Sequence, residues 1–265
     1  MPTPAQAALI EAIHRTLEAD ERIEAAWLSG SFGKGEADEL SDVDVLLLVR
    51  EPWKEAADAY DADVGAIAEA VLVNPLFGGR VLNVVTAEWE RFDLSFVQAQ
   101  DLGRYDRSAL KPLFNRTGLE PPTRERKPYR PPPEKIAGMI HEFLRVLGLM
   151  PVAFGREEYV ISAWGVEMQR RGLIDLMLEA NRIAPEDRGG ALHLRRLITP
   201  EQHALLAALP PVSADPDALV AVNLAIARLY LPLARRLAAE LGVEWPEAFE
   251  QATRRRLRTA LGITF

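Results

Sequence analysis

The sequence predicts an α+β protein, in which a small mixed sheet with helices is followed by an all-helical region. Two observations support this fold class. Short strand-like apolar runs alternate with helical patterns over the first hundred residues, whereas beyond a proline-rich stretch nearly all apolar residues recur at helical spacing. We therefore expect a first domain over residues 1–119, a linker over residues 120–133 and a helical domain over residues 134–265.

The N-terminal region begins with a pattern typical of an amphipathic helix and continues with strand-like runs. Leu9, Ile13 and Leu17 recur at the spacing of one helix face. A glycine-rich turn is predicted at residues 30–35 and a second helix at residues 56–73. The strands are predicted at residues 23–28, 41–50, 80–86 and 91–97.

The composition changes abruptly at the predicted linker. Residues 120–133 contain six prolines and four Lys or Arg residues. Because proline interrupts both helices and central strands, we expect this segment to run extended. After it, helices are predicted at residues 134–148, 157–183, 200–209, 216–241 and 246–261.

The composition also excludes several classes of protein. The 265 residues contain no cysteine, which excludes disulfides, thiol catalysis and cysteine-based metal sites. No apolar run approaches the ~18 residues of a membrane-spanning helix, and the first residues lack the basic and apolar regions of a secretion signal. We therefore expect a cytoplasmic protein with no membrane partner.

Charge is distributed unevenly along the chain, whose net charge is −8. Residues 1–100 hold seven Lys and Arg residues against 19 Asp and Glu residues. This acidic region argues against a nucleic-acid partner, since nucleic-acid phosphates are bound mainly by Lys and Arg. It suits a protein that gathers carboxylates around cations or binds a basic small molecule, although an acidic solvated surface has the same composition.

The most informative motif joins a Gly-Ser pair to two aspartates. Gly30-Ser31 is followed, after a spacer of ten residues, by Asp42-Val43-Asp44-Val45. Alternation along a strand places Asp42 and Asp44 on one face with their Cβ atoms about 7 Å apart, a separation at which carboxylates can hold hard divalent cations. Glycine in the turn allows backbone N–H groups to approach an anion. Carboxylates for cations beside N–H groups for phosphates are what metal-assisted nucleotidyl transfer requires.

A third carboxylate is expected from a neighbouring strand. In the run at residues 91–97, Phe92, Leu94 and Phe96 are predicted to face the core, which places Asp93 on the site-facing side. A charge within an apolar strand needs a partner, and a metal ion is one such partner. An ordinary salt bridge is the alternative interpretation of Asp93.

Gly30-Ser31, the ten-residue spacer and Asp42-Val43-Asp44-Val45 resemble the signature of the DNA polymerase beta-like nucleotidyltransferase superfamily. Ser29 stands where that signature usually has an apolar residue, and the resemblance covers about the first hundred residues. The small N-terminal domain followed by a helical domain resembles the antibiotic-modifying branch, the aminoglycoside and lincosamide nucleotidyltransferases. The resemblance thus implies that residues 1–119 are the catalytic domain.

The resemblance also implies a role for each matching residue. Gly30 and Ser31 would contact the triphosphate of the nucleotide, and Asp42 and Asp44 would bind two Mg²⁺ ions. Asp93 would complete the second metal site or act as the base that takes the proton of the acceptor.

Several other polar residues remain open between a functional and a structural interpretation. Lys34 can reach a phosphate from its loop, but a solvated loop lysine fits the pattern equally well. Glu167 is a candidate general base from the helical domain. Arg254, Arg255, Arg256 and Arg258 can approach a triphosphate, or form a solvated helix face. The basic residues of 124–130 can clamp a nucleotide, or keep the linker soluble. The four histidines have no zinc-site spacing.

Two classes of function follow from these patterns. The first is an Mg²⁺-dependent enzyme that transfers a nucleoside monophosphate, AMP from ATP, to a hydroxyl of a small molecule, for which the acidic region favours a cationic acceptor such as an aminoglycoside. The second is a regulatory protein that binds the nucleotide without turnover. The presence of both Asp42 and Asp44 favours the enzyme.

Overall fold

The computed structural model describes residues 2–50, 52–125, 127–189 and 193–264. The chain divides into two compact units, residues 1–126 and residues 127–265. Between the last strand of the first unit and the first long helix of the second, the described residues form neither helix nor strand. The domain boundaries expected from the sequence, at residues 119 and 134, stay a prediction.

The first unit is built on a mixed sheet, as the sequence predicts. The strand order is β3-β4-β5-β2-β1-β6. The β2–β5 pair is parallel, and the other neighbouring pairs are antiparallel. In chain order the elements are α1 (Pro4–Ala19), β1 (Ile23–Leu28), α2 (Gly30–Lys34), β2 (Val43–Val49), α3 (Trp53–Ala62), β3 (Ala70–Leu76), β4 (Val81–Thr86), β5 (Arg91–Val97) and β6 (Lys111–Asn115).

The central strand β2 is covered on both faces over most of its length. Val45 and Leu47 on one face join a core to which α1 and α3 contribute. Leu46 and Leu48 on the other face join a smaller apolar cluster. Asp44 is the only residue of β2 that is not fully buried, and the alternation of side chains places it on the face of the smaller cluster. The second face of the sheet therefore changes from apolar to acidic at the start of β2.

Two predicted elements of the first unit are wrong. Residues 30–34 form the short helix α2 and only Gly35, at φ 73°, closes it in the left-handed conformation. The helix predicted over residues 56–73 ends at Ala62, where the Asp63 side chain accepts a hydrogen bond from the Gly65 N–H at 2.7 Å and turns the chain. Residues 63–69 form neither helix nor strand, and residues 70–73 belong to β3, because they pair with β4.

The second unit is helical, as predicted. Its largest apolar cluster is formed mainly by its three longest helices and includes the stacked rings of Phe143 and Tyr230. The Asp215 side chain caps the longest helix and Gly242, at φ 72°, ends it, in agreement with the sequence-based assignment. The described helices are α4 (Pro133–Gly155), α5 (Tyr159–Ala180), α6 (Leu194–Leu197), α7 (Pro200–Ala207), α8 (Pro216–Leu241) and α9 (Glu247–Leu261).

Helices α4 and α8 are, by length and composition alone, long and apolar enough to cross a membrane. Both contribute buried residues to the core of the helical unit, such as Ile140 of α4 and Ile226 of α8. Core helices of soluble proteins have the same length and composition. The two helices are therefore accounted for by packing within this unit.

Candidate active site

A row of three polar side chains crosses the sheet at one level. Asp44 of β2 is the direct neighbour of Asp93 in the parallel β2–β5 pair. Asp93 is in turn the direct neighbour of Asn83 in the antiparallel β4–β5 pair. Neighbouring strands lie about 4.8 Å apart, so the three side chains leave the same face of the sheet side by side. The structure thus brings together two of the three aspartates that the sequence singled out. Asp44, Asp93 and Asn83 are called the acidic row below.

The side chains of β5 face the two sides of the sheet as predicted. Phe92, Leu94 and Phe96 are buried in the core, whereas Asp93 and Ser95 are only partly buried. The Asn83 Nδ2 donates a hydrogen bond of 2.7 Å to the Asp93 Oδ1. This bond fixes the orientation of the Asp93 carboxylate from the neighbouring strand.

Gly30, the first residue of α2, lies directly against the carboxylate of Asp44. A Cβ atom at this position would stand 2.8 Å from the Asp44 Cγ and closer still to its Oδ2. The backbone of Gly30 has φ +54°, in the left-handed region that side chains disfavour. Two independent constraints therefore require glycine next to the acidic row.

The chain is also fixed at this point by backbone hydrogen bonds. The Ser29 N–H donates to the Asp44 carbonyl oxygen at 2.8 Å, and the Gly33 N–H donates to the Ser29 carbonyl oxygen at 2.8 Å. The Ser29 side chain makes no capping hydrogen bond, and the first N–H groups of a helix have no acceptor within it. In the described structure, the Ser31 Oγ is buried without a hydrogen-bond partner. Donors of the first turn of α2 are thus held beside the Asp44 carboxylate.

The electrostatics of the acidic row disfavour its full ionisation. Burial, reinforced by the charges of Asp42 and Asp93, raises the pKa of Asp44 to about 6, and Arg91 opposes this shift. Burial also raises the pKa of Asp93, and the hydrogen bond from Asn83 opposes that shift. Like charges at close range raise one another's pKa unless a cation is present. The row is therefore a place where a bound cation would relieve repulsion.

Asp42 lies just before β2 and is the more exposed of the two motif aspartates. Its Oδ2 lies 3.9 Å from Nη1 of Arg91, the first residue of β5. The Arg91 Nη2 also donates to the Leu40 carbonyl oxygen at 3.1 Å. Arg91 therefore joins the loop before β2 to the start of β5. Lys34 is the last residue of α2, rather than a loop residue as predicted.

The donor set at this row fits a magnesium ion in its chemistry. Carboxylate oxygens are the ligands that Mg²⁺ prefers, and the pKa of Asp44 is raised by burial and, in addition, by the negative charges of Asp42 and Asp93. In the described residues, however, no three His, Asp or Glu side chains stand close enough together to form a ready-made metal cluster. Asp42, the remaining carboxylate of the motif, has its Oδ2 near the Arg91 guanidinium instead.

The basic residues singled out on α9 form bonds within the helical unit. The Arg254 guanidinium pairs with Glu250, and the Arg256 Nε donates to the Gly148 carbonyl oxygen at 3.0 Å. These contacts support the structural interpretation for those two residues.

Two further candidates form contacts within their own units. Glu167 on α5 pairs with Arg170 at 3.4 Å. In the linker, Arg124 donates to the Gly103 carbonyl oxygen, and Arg126 lies outside the described residues.

Sequence reasoning missed Asn83 and Arg91 as parts of the site. Each had a signal in the sequence. Asn83 is a polar residue within the apolar run of β4, and Arg91 alternates with Phe92 so that it shares a face with Asp93. Only the strand register, which places Asn83 opposite Asp93, shows that Asn83 belongs to the site.

The solved structures similar to this chain include two proteins of similar length. One is an aminoglycoside 6-adenyltransferase from Bacillus subtilis, with 13% identity, a TM-score of 0.46, and coverage of 94% of this chain and 95% of that one. The other is a nucleotidyltransferase-like protein from Exiguobacterium sibiricum, with 15% identity, a TM-score of 0.36, and coverage of 96% and 87%. Comparison with curated protein sequences finds no significant match.

The sequence model of the polymerase beta nucleotidyltransferase family matches residues 11–66. The matched segment contains Gly30, Ser31, Asp42 and Asp44 and ends before Asp93. The resemblance predicted from the Gly-Ser pair and the two aspartates is therefore confirmed for this segment.

Proposed function

We propose that the protein is an Mg²⁺-dependent nucleotidyltransferase that transfers a nucleoside monophosphate, AMP from ATP, to a hydroxyl group of a small molecule. The single observation that carries the proposal is the position of Asp44. Its carboxylate lies against the backbone of Gly30 on one side and beside Asp93 on the other, within a segment that matches a nucleotidyltransferase family.

The first turn of α2 supplies the nucleotide side of the proposed site. Because Gly30 has no side chain and Ser29 does not cap the helix, the N–H groups of this turn can donate to phosphate oxygens. The Ser31 Oγ is a further donor at the same turn, since it is buried without a partner. An anion held here would lie next to Asp44, where repulsion demands a cation between the two.

The aspartates supply the metal side. Asp42, Asp44 and Asp93 would hold Mg²⁺. When bound, Mg²⁺ neutralises charge on the phosphates and acidifies the acceptor hydroxyl. Where Asp93 does not hold a metal ion, its carboxylate is a candidate acceptor for the proton of that hydroxyl. Asn83 acts as a positioning residue, since it holds one oxygen of Asp93.

The charge of the N-terminal region supports the choice of partners. With seven Lys and Arg residues against 19 Asp and Glu residues over residues 1–100, a cationic acceptor such as an aminoglycoside would be attracted and a nucleic acid repelled. The lack of cysteine fits a reducing compartment, and we propose the cytoplasm as the place of action.

Pyrophosphate release is the decisive assay. The full chain is incubated with Mg²⁺ and ATP or GTP across aminoglycosides, lincosamides and other hydroxylated amines, and the product is identified by mass. Asp44→Asn and Asp93→Asn should each lower the rate by at least about two orders of magnitude with an unchanged circular dichroism spectrum. Asp61→Asn, an exposed aspartate of α3, is the matched control and should keep full activity. Nucleotide binding without pyrophosphate release against any acceptor would instead support the regulatory function.

A further inference from the structure

Trp89 is an exposed aromatic residue in an unfavourable backbone conformation. It lies in the turn that joins β4 to β5, is 75% exposed and has φ +67°. This left-handed region is normally occupied by glycine, and a bulky side chain there is an outlier. A large apolar side chain that is both exposed and strained gains little from packing. Backbone outliers of this kind concentrate at sites that bind ligands.

Hydrogen bonds hold the turn in this conformation. The Trp89 N–H donates to the Thr86 carbonyl oxygen at 3.0 Å, and the Thr86 N–H donates to the Glu90 carbonyl oxygen at 2.9 Å. The Oγ1 of the buried Thr86 also accepts a hydrogen bond from the Glu90 N–H at 3.1 Å. Three-residue hairpin loops with this pattern end in a left-handed residue, for which glycine is preferred. Tryptophan therefore stands at the glycine position of a turn whose geometry is fixed.

The turn lies at the end of the sheet that also carries the first turn of α2. At this end β1 and β4 finish and β2 and β5 begin, because β2 and β5 are parallel and their other neighbours are antiparallel. Trp89 precedes Asp93 by four residues, which places their Cα atoms at most about 13 Å apart. Across the sheet, Asp44 lies next to α2, and Asp93 and Asn83 follow. Trp89 is therefore on the side of the acidic row that faces away from α2.

This side of the row is where the acceptor belongs if the function proposed above is correct. In that function the N–H groups of α2 hold the phosphates of the nucleotide. In an in-line transfer, the attacking hydroxyl approaches from the side opposite to the leaving pyrophosphate. The acceptor then lies on the side of Asp44 away from α2, with Asp93 and the β4–β5 turn beside it. Trp89 offers an exposed aromatic surface at this place.

Carboxylates accompany the ring of Trp89. Glu88 and Glu90 flank it in the chain, and the backbone of Glu69 is hydrogen-bonded to the same turn. In the part of the chain that the structure describes, none of these three carboxylates has an ion pair. Arg91, the next cation along the chain, contacts the loop before β2. An aromatic ring with free carboxylates nearby attracts an ammonium group.

We propose that Trp89 is a contact residue for the acceptor and binds an ammonium group of a multi-ring polyamine by a cation–π interaction. This inference rests on the proposed function and adds a dimension of the acceptor to it. The reacting hydroxyl lies at Asp93 and the bound ammonium group at Trp89, so the two groups belong to different rings of the acceptor. A single-ring amine contacts one of the two residues and does not span both.

Fluorine NMR of the full chain labelled with 5-fluorotryptophan tests the contact directly, since Trp89→Phe identifies the Trp89 signal. Kanamycin A, a multi-ring polyamine, should shift this signal in the presence of Mg²⁺ and a non-hydrolysable ATP analogue, and leave that of the buried Trp27 unchanged. Maltotriose, a neutral sugar with as many rings, and 2-deoxystreptamine, a single-ring amine, should each bind at least about tenfold more weakly. An unshifted Trp89 signal at millimolar kanamycin A, or equally tight binding of either comparison compound, overturns the proposal.

Matched variants separate the contact from the stability of the turn. Trp89→Gly should weaken kanamycin A binding about tenfold, while its melting temperature stays equal or rises because glycine accepts φ +67°. Trp89→Phe, which keeps a ring, should lose no more than about threefold. Phe77→Gly is the control and should leave binding unchanged, since Phe77 is 81% exposed at φ +52° but lies before the opposite end of β4. A folded Trp89→Gly protein with the affinity of the wild type overturns the proposal.

The pyrophosphate assay, run in parallel, distinguishes this inference from the proposed function. For a multi-ring amine that is modified, Trp89→Gly should raise the KM of the amine about tenfold and leave kcat and the KM of ATP unchanged. Transfer to such an amine that is unaffected by Trp89→Gly overturns the contact and leaves the transferase function intact. A Trp89 signal that shifts without pyrophosphate release against any acceptor supports the contact and counts against the transferase function.

Discussion

The backbone of Gly30 and the carboxylate of Asp44 lie so close together that no side chain fits between them. A Cβ atom at residue 30 would stand 2.8 Å from the Asp44 Cγ, and the Ser29 N–H next to it donates to the Asp44 carbonyl oxygen at 2.8 Å. The helix that starts at Gly30 and the strand that starts at Val43 are thereby joined at the acidic row.

Gly30→Ala should lower the free energy of unfolding by more than the positive φ of residue 30 alone would cost. We expect a loss of about 3 kcal/mol in the free energy of unfolding, because the new methyl group meets Asp44 in addition to the strained φ. Gly35→Ala is the matched control: Gly35 has φ +73° but no atom within 4 Å of an added Cβ, so about 1 kcal/mol is expected. Urea unfolding measures both. Equal losses in the two variants would show that the contact with Asp44 is unimportant.

Asp44→Asn should stabilise the metal-free protein at pH 7. The pKa of Asp44 is raised to about 6 in the folded state from 3.8, so the folded protein binds more protons between these values and stability falls as the pH rises through that range. Above pH 6 the penalty is complete, and removing it should gain about 3 kcal/mol. Below pH 4 the gain should vanish. Urea unfolding with a chelator, with Asp61→Asn as control, measures the difference, and a pH-independent gain contradicts the electrostatic cause.

Mg²⁺ should bind the wild-type protein and stabilise it, because a cation at the row offsets both the burial of the Asp44 charge and its repulsion by Asp42 and Asp93. A rise in melting temperature with Mg²⁺ and a non-hydrolysable ATP analogue is expected, equivalent to about 2.7 kcal/mol at a ligand concentration of 100 Kd. Asp44→Asn should lose most of this rise, whereas Asp61→Asn should keep it. An equal rise in all three proteins would place the metal and nucleotide elsewhere.

Asn83→Ala should lower kcat about tenfold with little change in KM for the nucleotide, because Asn83 orients Asp93 rather than binding substrate. Loss of this hydrogen bond should also raise the pKa of Asp93 further, since the bond opposes the effect of burial. Carbon-13 NMR of the aspartates in metal-free protein measures that shift. Asn74→Ala, at the exposed cross-strand neighbour on β3, should change neither quantity. An unchanged pKa of Asp93 would exclude the positioning role.

Glu179→Gln should destabilise the helical unit by about 3 kcal/mol at pH 7. Glu179 is fully buried, and its carboxylate contacts Lys135 at 2.7 Å, Arg188 at 2.5 Å and the Tyr129 hydroxyl at 2.8 Å. Burial alone would raise the pKa of Glu179, but these three partners outweigh it and lower the pKa. The stability from this group is therefore present at neutral pH and lost as the pH falls through the lowered pKa.

The difference between wild type and Glu179→Gln should accordingly narrow on acidification, as measured by urea unfolding between pH 7 and pH 3. Glu244→Gln, at an exposed position, should remain within about 0.5 kcal/mol of wild type throughout. A constant difference at all pH values would indicate lost packing rather than a lost charge.

The elements that the sequence predicted well are those whose burial pattern is local. The strand at residues 23–28 and the helix at residues 216–241 match the structure at both ends, because apolar periodicity and the Asp215 cap mark them. The helix predicted over 56–73 was wrong in its second half. Residues 70–76 are an edge strand whose conformation is stabilised by pairing with β4, a partner that local spacing does not reveal.

The candidate site likewise has features that local sequence patterns predict and features that depend on contacts between distant segments. The sequence by itself determined the identity of the acidic motif and the facing of Asp93, because a Gly-Ser pair, a fixed spacer and strand alternation are local properties. Only the tertiary structure decided that Asp44 and Asp93 are direct neighbours, that Asn83 completes their row and that Gly30 lies against Asp44. Strand order and register depend on how distant segments of the chain pack together, and no local pattern specifies that arrangement.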